Sequence, residues 1–496
     1  MTSAKTLDVA HFDAFDDKSV PCIIDNKPYL TSSTYDVLDP HTSQLLWSAY
    51  CVQPVDAVRA VESAAAAFPA WRATPIALRR EIFIKAIQIL KSKQSEYTAL
   101  SVKETSLPTA TQAGEIFGTA KLLEELVYTA DAALRGDVVE SPTQKTFIKR
   151  EPFGVVFGVA PWNGPFTLCS RAFSDAVMAG NTCVLKTSEY SPKTHIAVVQ
   201  AFIEAGLPPG VLNIVHVSPK DAPEITELLI SHPAVRKVGF TGSARVGSII
   251  GQLCGKLIKP VLLELGGMCP LIILPDADLE AAVNAAVYGS FMKSGQVCMS
   301  TNTIIVHESI ATEFIATMRA QVDQLRASTD QAGPLRGLFC PGAVKRVQKI
   351  VQDALDGGAN IVAGSFDVDL EHNVMQPLVL DNVTKDMDVC TQELFGPVVT
   401  IQRFKDDQEA IDLANDNDYG LSASVYGRDI ERATNIANGV YTGNIHINGP
   451  TFYSLAHAPH GGVKNSGYGR FNGAHGIREF TFAKVLTINE PRKYSL

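Results

Sequence analysis

A repeated alternation of apolar and amphipathic runs between residues 154 and 254 constrains the fold of this chain most strongly. Four apolar runs have the length of buried strands: 154–159, 182–186, 211–215 and 235–240. The runs between them have the length and periodicity of helices. Repeated strand–helix units form a parallel sheet that carries helices on both faces. A second series of the same kind follows Glu264, so we predict an α/β protein with a second α/β part.

The regions on either side of these units differ in pattern. Apolar residues recur with a helical period over 54–91 and 112–134. Residues 136–150 form two strand-like runs around a turn, and residues 481–489 alternate as an edge strand does. Such a hairpin is either a solvated arm or a subunit contact. The length of 496 residues suggests about three domains or subdomains.

Composition argues against several classes of function. The chain has 43 Lys and Arg against 52 Asp and Glu and no basic cluster, so we expect neither nucleic acid nor an anionic membrane as a partner. No run approaches the ~18 apolar residues that span a bilayer. The 9 cysteines are scattered without metal-ligand spacing, which indicates reduced thiols, no metal site and a cytoplasmic location. Met1–Asp17 lacks an apolar segment, which argues against secretion or mitochondrial import.

One thiol lies where a helix-like run meets a strand-like run. Cys298 follows Gly295-Gln296-Val297 in a connection that glycines punctuate. A free cysteine is usually a small core residue. A cysteine held at a backbone bend is instead able to act as a nucleophile when a base lies nearby. These residues alone leave both interpretations of Cys298 open.

Polar residues also follow several of the predicted strands, where open α/β folds bind ligands. Asn163 could donate a hydrogen bond to an oxyanion, although Asn, Gly and Pro are also common in turns. Glu264 follows an apolar run, where an unpartnered carboxylate is costly. It could be a general base, or it could be satisfied by the amides of Gly266 and Gly267.

Three further groups would suit a nucleotide. Gly242 opens a helix after a strand, which suits a pyrophosphate but is also typical of an ordinary turn. Lys186 and Glu189 follow another strand, where the carboxylate could bind a ribose diol or the two could form a solvated pair. Glu393 and Phe395 could hold a sugar hydroxyl and pack on a ring, or they could belong to a plain loop.

The order of these motifs resembles the aldehyde dehydrogenase superfamily over nearly the whole chain. The most specific motifs are Pro161-Trp162-Asn163, Leu263-Glu264-Leu265-Gly266-Gly267, Gly295-Gln296-Val297-Cys298 and Glu393-Leu394-Phe395-Gly396-Pro397. The resemblance implies a Rossmann-like NAD(P)-binding domain, an α/β catalytic domain and a small β oligomerisation element. The bounds that we predict are 1–131 and 151–263 for the first, 264–474 for the second, and 132–150 with 475–496 for the third.

The resemblance also implies a mechanism. Cys298 would attack the aldehyde carbon, Asn163 and the Cys298 amide would hold the oxyanion, and Glu264 would activate the water that releases the acid. The cofactor would be NAD, with NADP possible, because a carboxylate such as Glu189 can swing aside in this family. The residues that would bind the cofactor are Trp162, Lys186, Glu189, Gly242, Ser243, Gly247, Glu393 and Phe395.

Finer features resemble the branch of the family that oxidises aromatic aldehydes such as salicylaldehyde and vanillin. They are Cys298-Met299-Ser300-Thr301, Arg171 eight residues after Asn163, and Ile445-His446-Ile447-Asn448-Gly449. They imply an aromatic pocket with one cation, and its predicted lining is Phe166, Arg171, Met299, Phe452 and Tyr453. The chain departs from the usual pattern at Met268, at Gly164 and in the loop 451–460.

Other functions are consistent with the same resemblance. The substrate could be an aliphatic aldehyde or a semialdehyde. A CoA-acylating enzyme is disfavoured, because that branch lacks a base such as Glu264. A non-catalytic scaffold would not need Cys298, Glu264 and Asn163 together. The expected partners are a small aldehyde substrate and copies of the same chain, as a homodimer or a homotetramer.

Overall fold

The computed structural model describes residues 18–491 and residue 493. The argument from Met1–Asp17 about export therefore lies outside the described residues, as does the start of the predicted cofactor domain. Among the helices formed by residues 18–491, none is both long enough and apolar enough to cross a membrane. The cytoplasmic location stays a prediction.

The described chain begins with short strands, continues with four helices and then forms a hairpin. In order, these elements are β1 (Ser19–Val20), β2 (Cys22–Ile24), β3 (Lys27–Tyr29), β4 (Ser33–Leu38), β5 (Leu45–Cys51), α1 (Pro54–Ala73), α2 (Ile76–Ser92), α3 (Gln94–Glu104), α4 (Thr109–Leu134), β6 (Asp137–Ser141) and β7 (Gln144–Pro152). The helical region predicted at 54–91 is present but divides into α1 and α2, because Pro75 lacks the amide N–H that a continuous helix needs. The predicted hairpin is confirmed as β6 and β7, whereas α3 was not predicted.

Strands and helices then alternate as predicted. The first series is β8 (Val155–Val159), α5 (Thr167–Ala179), β9 (Thr182–Lys186), α6 (Pro192–Glu204), β10 (Leu212–Val215), α7 (Ala222–Ser231), β11 (Val235–Thr241), α8 (Ala244–Lys256) and β12 (Val261–Glu264). The strands are mainly apolar because both faces of the sheet are covered by helices.

The second series is longer and carries several short additional strands. Its elements are β13 (Cys269–Ile273), α9 (Leu279–Phe291), β14 (Thr301–His307), α10 (Glu308–Val322), β15 (Ala327–Ser328), β16 (Leu335–Arg336), α11 (Pro341–Asp356), β17 (Asn360–Gly364), β18 (Val368–Asp369), β19 (Val374–Met375), β20 (Leu378–Asp381), α12 (Asp388–Thr391), β21 (Val398–Phe404), α13 (Asp407–Asn415), β22 (Ser422–Tyr426), α14 (Ile430–Gly439) and β23 (Asn444–Ile447). The chain then forms β24 (Gly467–Tyr468), α15 (Gly473–Glu479) and β25 (Thr481–Asn489).

The first large sheet has eight strands in the order β24-β12-β11-β8-β9-β10-β2-β3. Its middle five strands are parallel. The chain proceeds from β8 to β9 and β10 on one side, and then returns to add β11 and β12 on the other side of β8. Loops at the carboxyl ends of β8 and β11 therefore diverge, and such a point is where open α/β sheets bind ligands.

The second large sheet has seven strands in the order β17-β20-β21-β14-β13-β22-β23. All neighbours are parallel except β17 and β20. Residues 265–268 join the carboxyl end of β12 directly to the amino end of β13. Because this link is so short, the carboxyl edge of the first sheet faces the amino edge of the second. Cys298 precedes β14 and thus lies at that amino edge.

A third sheet is antiparallel, with the order β25-β7-β6. The edge strand predicted at the C-terminus is confirmed as β25, which pairs with β7 from Thr481↔Pro152 to Asn489↔Gln144. The bounds of the three domains stay a prediction. β24 lies within the range predicted for the catalytic domain, yet it pairs with β12 of the first sheet.

Candidate active site

Two cavities meet between the facing edges of the large sheets. The substrate cavity, as we call the first, has a volume of about 620 Å³ and is bounded by α4, α5, the start of the Cys298 loop and residues 452–456. The cofactor cavity has a volume of about 610 Å³ and is bounded by the loops after β8, β11 and β12 and by residues 392–395. Asn163, Leu168 and Cys298 line both cavities. A group bound in one cavity can therefore reach the same sulfur as a group bound in the other.

The loop before Cys298 is held in an unusual backbone conformation. Lys293, Ser294 and Gly295 have φ values of 55°, 56° and 71°. Two consecutive residues with a side chain in the left-handed region cost free energy, and surrounding contacts must maintain them. The Ser294 hydroxyl donates to the Arg336 carbonyl at 2.5 Å, and the Gln296 side chain donates to the Lys293 carbonyl at 3.1 Å. The loop ends with the Cys298 side chain half-buried at the junction of the cavities.

Asn163 lies in the turn between β8 and α5 and faces the Cys298 loop. Its Nδ2 donates to the main-chain carbonyl of Gln296 at 3.1 Å. The main-chain carbonyl of Asn163 accepts from Lys293 Nζ at 2.9 Å. An amide nitrogen carries two N–H groups, so a second donor remains after the bond to Gln296. The side chain is 7% exposed and borders the cavity at the sulfur. Asn163 is thus a fixed donor beside the thiol.

Glu264 ends β12 and is 1% exposed. Neither of its carboxylate oxygens has a hydrogen-bond partner among the described residues, and His460 Nε2 lies 3.6 Å from Oε1. The interpretation that the amides of Gly266 and Gly267 satisfy this carboxylate is wrong for Gly267, whose N–H donates to Glu393 Oε1 at 3.1 Å. A buried polar group without a partner points to a functional site.

The ionisation of Glu264 and that of Cys298 are coupled. Burial raises the pKa of the Cys298 thiol well above its ordinary value, and the Glu264 carboxylate raises it further. Burial alone would also raise the pKa of Glu264, but His460, Arg171 and the thiol outweigh that effect, so the pKa of Glu264 lies below its usual value. At neutral pH the resting pair is therefore a protonated thiol beside an ionised carboxylate. Activation of Cys298 requires transfer of its proton to a base.

The cofactor cavity contains most of the residues predicted to bind a dinucleotide. Gly242 and Ser243 precede the first turn of α8, which has no acidic residue, so its free N–H groups suit a pyrophosphate. Trp162, Phe395 and Glu393 line the opposite part of the cavity. Burial raises the pKa of Glu393 to about 7. A helix N-terminus, a buried carboxylate and indole and phenyl rings form a donor and acceptor set that fits a nicotinamide dinucleotide.

Three predicted cofactor residues lie outside the lining of this cavity. A side chain at Gly247 would overlap Leu265, because an added Cβ would lie 2.4 Å from Leu265 Cδ2. Gly247 therefore allows α8 to pack on the residue after Glu264, and the structure does not support its predicted pyrophosphate contact. Lys186 ends β9 and Glu189 lies three residues later, where its charge counteracts the lowering of the Lys186 pKa that burial causes.

The substrate cavity is mainly apolar and aromatic. Apolar side chains that line it include Leu122, Leu168, Tyr288, Met292, Met299, Phe452 and Tyr453. Arg171 also lines it, donates from Nε to Asn472 Oδ1 at 3.2 Å and contacts Ser454 Oγ at 3.4 Å. Gly164 and the loop 451–460 both contribute to the wall, whereas Met268 lines neither cavity.

One predicted pocket residue is wrong. Phe166 is fully buried in the hydrophobic core and stacks on Tyr97, with ring centroids 6.4 Å apart. It directly precedes α5, and its side chain points towards the core of the first sheet rather than towards the cavity. Leu168, two residues later, lines the cavity in its place.

Several residues around the site are not among those that the sequence predicts. They are Glu115, Leu168, Tyr288, Lys293, Phe339 and His460. Phe339 stacks on Trp162 at 4.3 Å between ring centroids, and Lys293 Nζ pairs with Glu115 Oε2 at 2.9 Å. No local pattern marks Glu115, because it reaches the site from a helix 178 residues before Lys293. His460 directly precedes Gly461-Gly462. This glycine pair indicates a loop that could lie near a ligand, and it is the one sequence feature that could have drawn attention to His460.

Comparisons with known proteins agree with this geometry. A model of the aldehyde dehydrogenase family matches residues 29–486. A vanillin dehydrogenase of Pseudomonas sp. (strain HR199 / DSM 7063) is 41% identical over 96% of this chain and 99% of its own length. A salicylaldehyde dehydrogenase from Pseudomonas putida G7, complexed with salicylaldehyde, has a TM-score of 0.93 and 37% identity, covering 97% of this chain and 100% of its own.

A further solved structure bears on the cofactor. PnpE in complex with nicotinamide adenine dinucleotide has a TM-score of 0.91 and 30% identity, covering 96% of this chain and 98% of its own. The family match covers both large sheets except β2 and most of β3, and it includes all the residues that line the two cavities. The prediction made from the motifs is confirmed: the chain belongs to the aldehyde dehydrogenase family, whose members oxidise aldehydes to carboxylic acids with NAD(P).

Proposed function

We propose that this chain oxidises aromatic aldehydes to carboxylic acids, with Cys298 as nucleophile, Asn163 as oxyanion donor and Glu264 as general base. The observation that carries the proposal is the shared position of Cys298 and Asn163 in the walls of both cavities. An aldehyde in the substrate cavity and a hydride acceptor in the cofactor cavity would approach the same sulfur from two sides. Glu264 borders the cofactor cavity and completes the set.

In the first step, the Cys298 thiol transfers its proton to the ionised Glu264 carboxylate, and the sulfur attacks the aldehyde carbon. The carbonyl π electrons move to oxygen, which Asn163 Nδ2 and the Cys298 main-chain N–H stabilise. One such donor is typically worth roughly 3–4 kcal/mol in the transition state. A thiohemiacetal results, with its oxygen held between the two donors.

A nicotinamide ring bound in the cofactor cavity supplies the acceptor for the hydride that leaves the former aldehyde carbon. Once that carbon has been oxidised, Cys298 carries a thioester. Glu264 releases to solvent the proton that it took from Cys298 and then takes a proton from a water molecule, whose oxygen attacks the thioester carbon. The C–S bond breaks, and the carboxylic acid leaves. The sulfur recovers a proton, which restores the resting thiol. Glu264 thus acts as base in both half-reactions.

The charges near β9 support NAD as the main cofactor, with NADP as a second possibility. Glu189 would accept hydrogen bonds from the ribose hydroxyls and repel a 2′-phosphate, whereas Lys186 would attract one. Gly242 and Ser243 would bind the pyrophosphate, and Glu393 would bind the nicotinamide ribose. We assign the cofactor function to the part of the chain around the eight-stranded sheet and the nucleophile to the part around the seven-stranded sheet.

The lining of the substrate cavity supports an aromatic substrate. Flat rings pack well between Tyr288, Phe452 and Leu168, since such contacts combine area with favourable ring geometry. Arg171 supplies one fixed cation, which suits a hydroxyl or carboxyl group on the ring. Relatives named for vanillin and salicylaldehyde support the same substrate class.

A steady-state comparison tests the proposal. We expect kcat/KM for benzaldehyde, salicylaldehyde and vanillin to exceed that for hexanal and for succinate semialdehyde by at least about tenfold with NAD+. The free acid should form without CoA. Cys298→Ala should lower kcat/KM by at least about 10⁴-fold, as the loss of a nucleophile does.

Three results would contradict the proposal. A kcat/KM for hexanal or the semialdehyde above that for every aromatic aldehyde would reassign the substrate class. Undiminished turnover by Cys298→Ala would show that Cys298 is not the nucleophile. A requirement for CoA would instead identify an acylating enzyme and exclude Glu264 as the base for water.

A further inference from the structure

His460 lies beside Glu264 but is not part of the lining of either cavity. Its Nε2 is 3.6 Å from Glu264 Oε1, slightly longer than a hydrogen bond. The two side chains are 4% and 1% exposed, and His460 Nε2 and both Glu264 oxygens lack hydrogen-bond partners among the described residues. His460 Nε2 could therefore become a donor to Glu264.

The backbone at His460 is fixed. Its N–H donates to the Phe471 carbonyl at 2.9 Å, and the Phe471 N–H donates to the His460 carbonyl at 2.8 Å. This pair of bonds joins the strand-like segments on either side of the Gly461-Gly462 turn. The imidazole therefore has a firm support, and a small rotation of either side chain would close the gap to Glu264.

Burial and the neighbouring charges determine the protonation states of His460 and Glu264. Arg171 from α5, Arg470 and the Glu264 carboxylate act on His460, and burial lowers the pKa of the imidazole. The charge of Glu264 also acts on Cys298, Cys269 and Glu393. At neutral pH the imidazole is therefore neutral and carries one N–H, while the carboxylate is ionised. A proton on Nε2 would face the carboxylate.

We propose that His460 is a positioning residue whose Nε2–H donates to Glu264 Oε1 and holds the carboxylate in the orientation that deprotonates water. This inference rests on the proposed role of Glu264 as base. His460 would hold Oε1 of the carboxylate by this hydrogen bond, and Oε2 would remain free to take the proton. Without the donor, the carboxylate would rotate more freely and would bind a proton more tightly, because a hydrogen bond to the charged form is lost.

The test compares His460→Phe, which fills the space without a donor, with His460→Gln, whose Nε2 supplies an N–H in a similar position. His457→Phe, in the same segment but exposed, is the matched control. For each variant, kcat is measured between pH 5 and 9, and the first-turnover burst of NADH is measured at pH 7.5. The acid limb of kcat reports the ionisation of the base in the bound enzyme.

We expect His460→Phe to move the midpoint of the acid limb to higher pH by about one unit. His460→Gln should restore most of this shift, and His457→Phe should match the parent. The burst of about one NADH per active site should persist in His460→Phe at pH 7.5, because Glu264 is still ionised there and can take the Cys298 proton. An unmoved acid limb in His460→Phe, or an equal shift in His460→Gln, would overturn the inference and leave His460 as a packing residue.

Glu264→Gln separates this inference from the proposed function. If Glu264→Gln hydrolyses the thioester as fast as the parent, Glu264 is not the base and both proposals fail. If Glu264→Gln loses turnover while His460→Phe retains the parent's acid limb, only the positioning role of His460 is rejected.

Discussion

At the scale of single residues, the resting site holds its proton on sulfur rather than on the carboxylate. Burial and the charge of Glu264 both disfavour a thiolate at Cys298. A reactive cysteine is often activated by a lowered pKa, and this site follows a different route. The nucleophile would form only when the base takes the proton as the aldehyde arrives. Such an arrangement would protect the sulfur from other electrophiles between turnovers.

This arrangement predicts the pH dependence of alkylation. The thiolate is the form that reacts, and the pKa of Cys298 is raised, so alkylation by iodoacetamide should be slow at pH 7 and should rise through a midpoint above the ordinary thiol pKa of about 8.5. Glu264→Gln removes the neighbouring negative charge. The midpoint should then fall by about one pH unit, although aldehyde oxidation is lost. Mass spectrometry of the peptide that contains Cys298 measures the rate.

The half-buried Cys340 provides the internal control, because its alkylation rate should be the same in both proteins. A midpoint below pH 8 in the parent, or one that Glu264→Gln leaves unchanged, would contradict the proton arrangement described here. The first result would indicate a preformed thiolate, and the second would indicate that burial alone controls the sulfur.

The sequence motifs predict the proposed reacting residues better than they predict the surroundings of those residues. Cys298, Asn163 and Glu264 stand in motifs with fixed neighbours, and the structure brings all three to the cofactor cavity. Phe166 was misassigned because a position just before a helix does not reveal whether its side chain turns to the cavity or to the core. His460 was missed because its importance depends on a contact across 196 residues of chain, from Glu264 to His460.

At the scale of elements, Glu115 joins three parts of the site. From α4, its Oε1 accepts from the N–H groups of Phe166 and Thr167 at 3.0 Å each, which caps the first turn of α5. Its Oε2 accepts from Lys293 Nζ at 2.9 Å, and the same Nζ donates to the Asn163 carbonyl. The position of Asn163 and the left-handed backbone at Lys293 therefore depend on one carboxylate.

We expect Glu115→Gln to lower both the free energy of unfolding and the kcat/KM for aldehyde oxidation. The change leaves the ammonium group of Lys293 nearly buried without its charge partner, which typically costs about 3–5 kcal/mol. Urea denaturation measures the free energy of unfolding, and kcat/KM should fall because Asn163 loses its support. The double variant Glu115→Gln/Lys293→Met should regain part of the stability, since no unpaired charge remains.

Glu81→Gln is the matched control for this change. Glu81 pairs with Lys85 at 3.4 Å on the surface of α2, and such exposed pairs contribute only about 0–1 kcal/mol. If Glu115→Gln were as stable and as active as Glu81→Gln, the contact with Lys293 would have no structural role.

Most elements could be predicted from periodicity because the helices and strands of both series are amphipathic or uniformly apolar over their full length. Short strands and the ends of helices could not be predicted from periodicity. Helix α3 carries polar residues on most of its surface and buries only part of one face, so its pattern is weak. β24 has two residues, and its pairing with β12 is a tertiary contact that no local pattern encodes.

At the scale of the whole molecule, the site arises from the way the two large sheets face each other. The rule that ligands bind at the carboxyl ends of parallel strands correctly predicts the loops that contain Asn163 and Glu264. It does not predict Cys298, which precedes β14 at the amino edge of the second sheet. The four-residue link 265–268 brings these opposite edges together, and a rule for single sheets cannot anticipate that arrangement.

The third sheet presents an apolar face to solvent in the single chain. Side chains that are exposed there include Val138, Phe482, Leu486 and Ile488. Leu486 pairs with Phe147, which pairs with Val138, so these side chains share one face across three strands. β25 is also an edge strand with free backbone groups. An exposed apolar surface of this kind usually marks a protein contact.

We predict that this face joins copies of the chain, so that the parent has a mass of at least about twice 53.4 kDa by light scattering. Leu486→Asp/Ile488→Asp should reduce the mass towards that of one chain, because two buried apolar side chains contribute about 1.5–3 kcal/mol each and a buried charge costs more. Thr487→Asp, which adds a charge on the opposite face of β25, is the control and should retain the parent's mass. A monomeric parent with full activity, or a double variant with an unchanged mass, would show that the solvated arm is the correct interpretation of the hairpin.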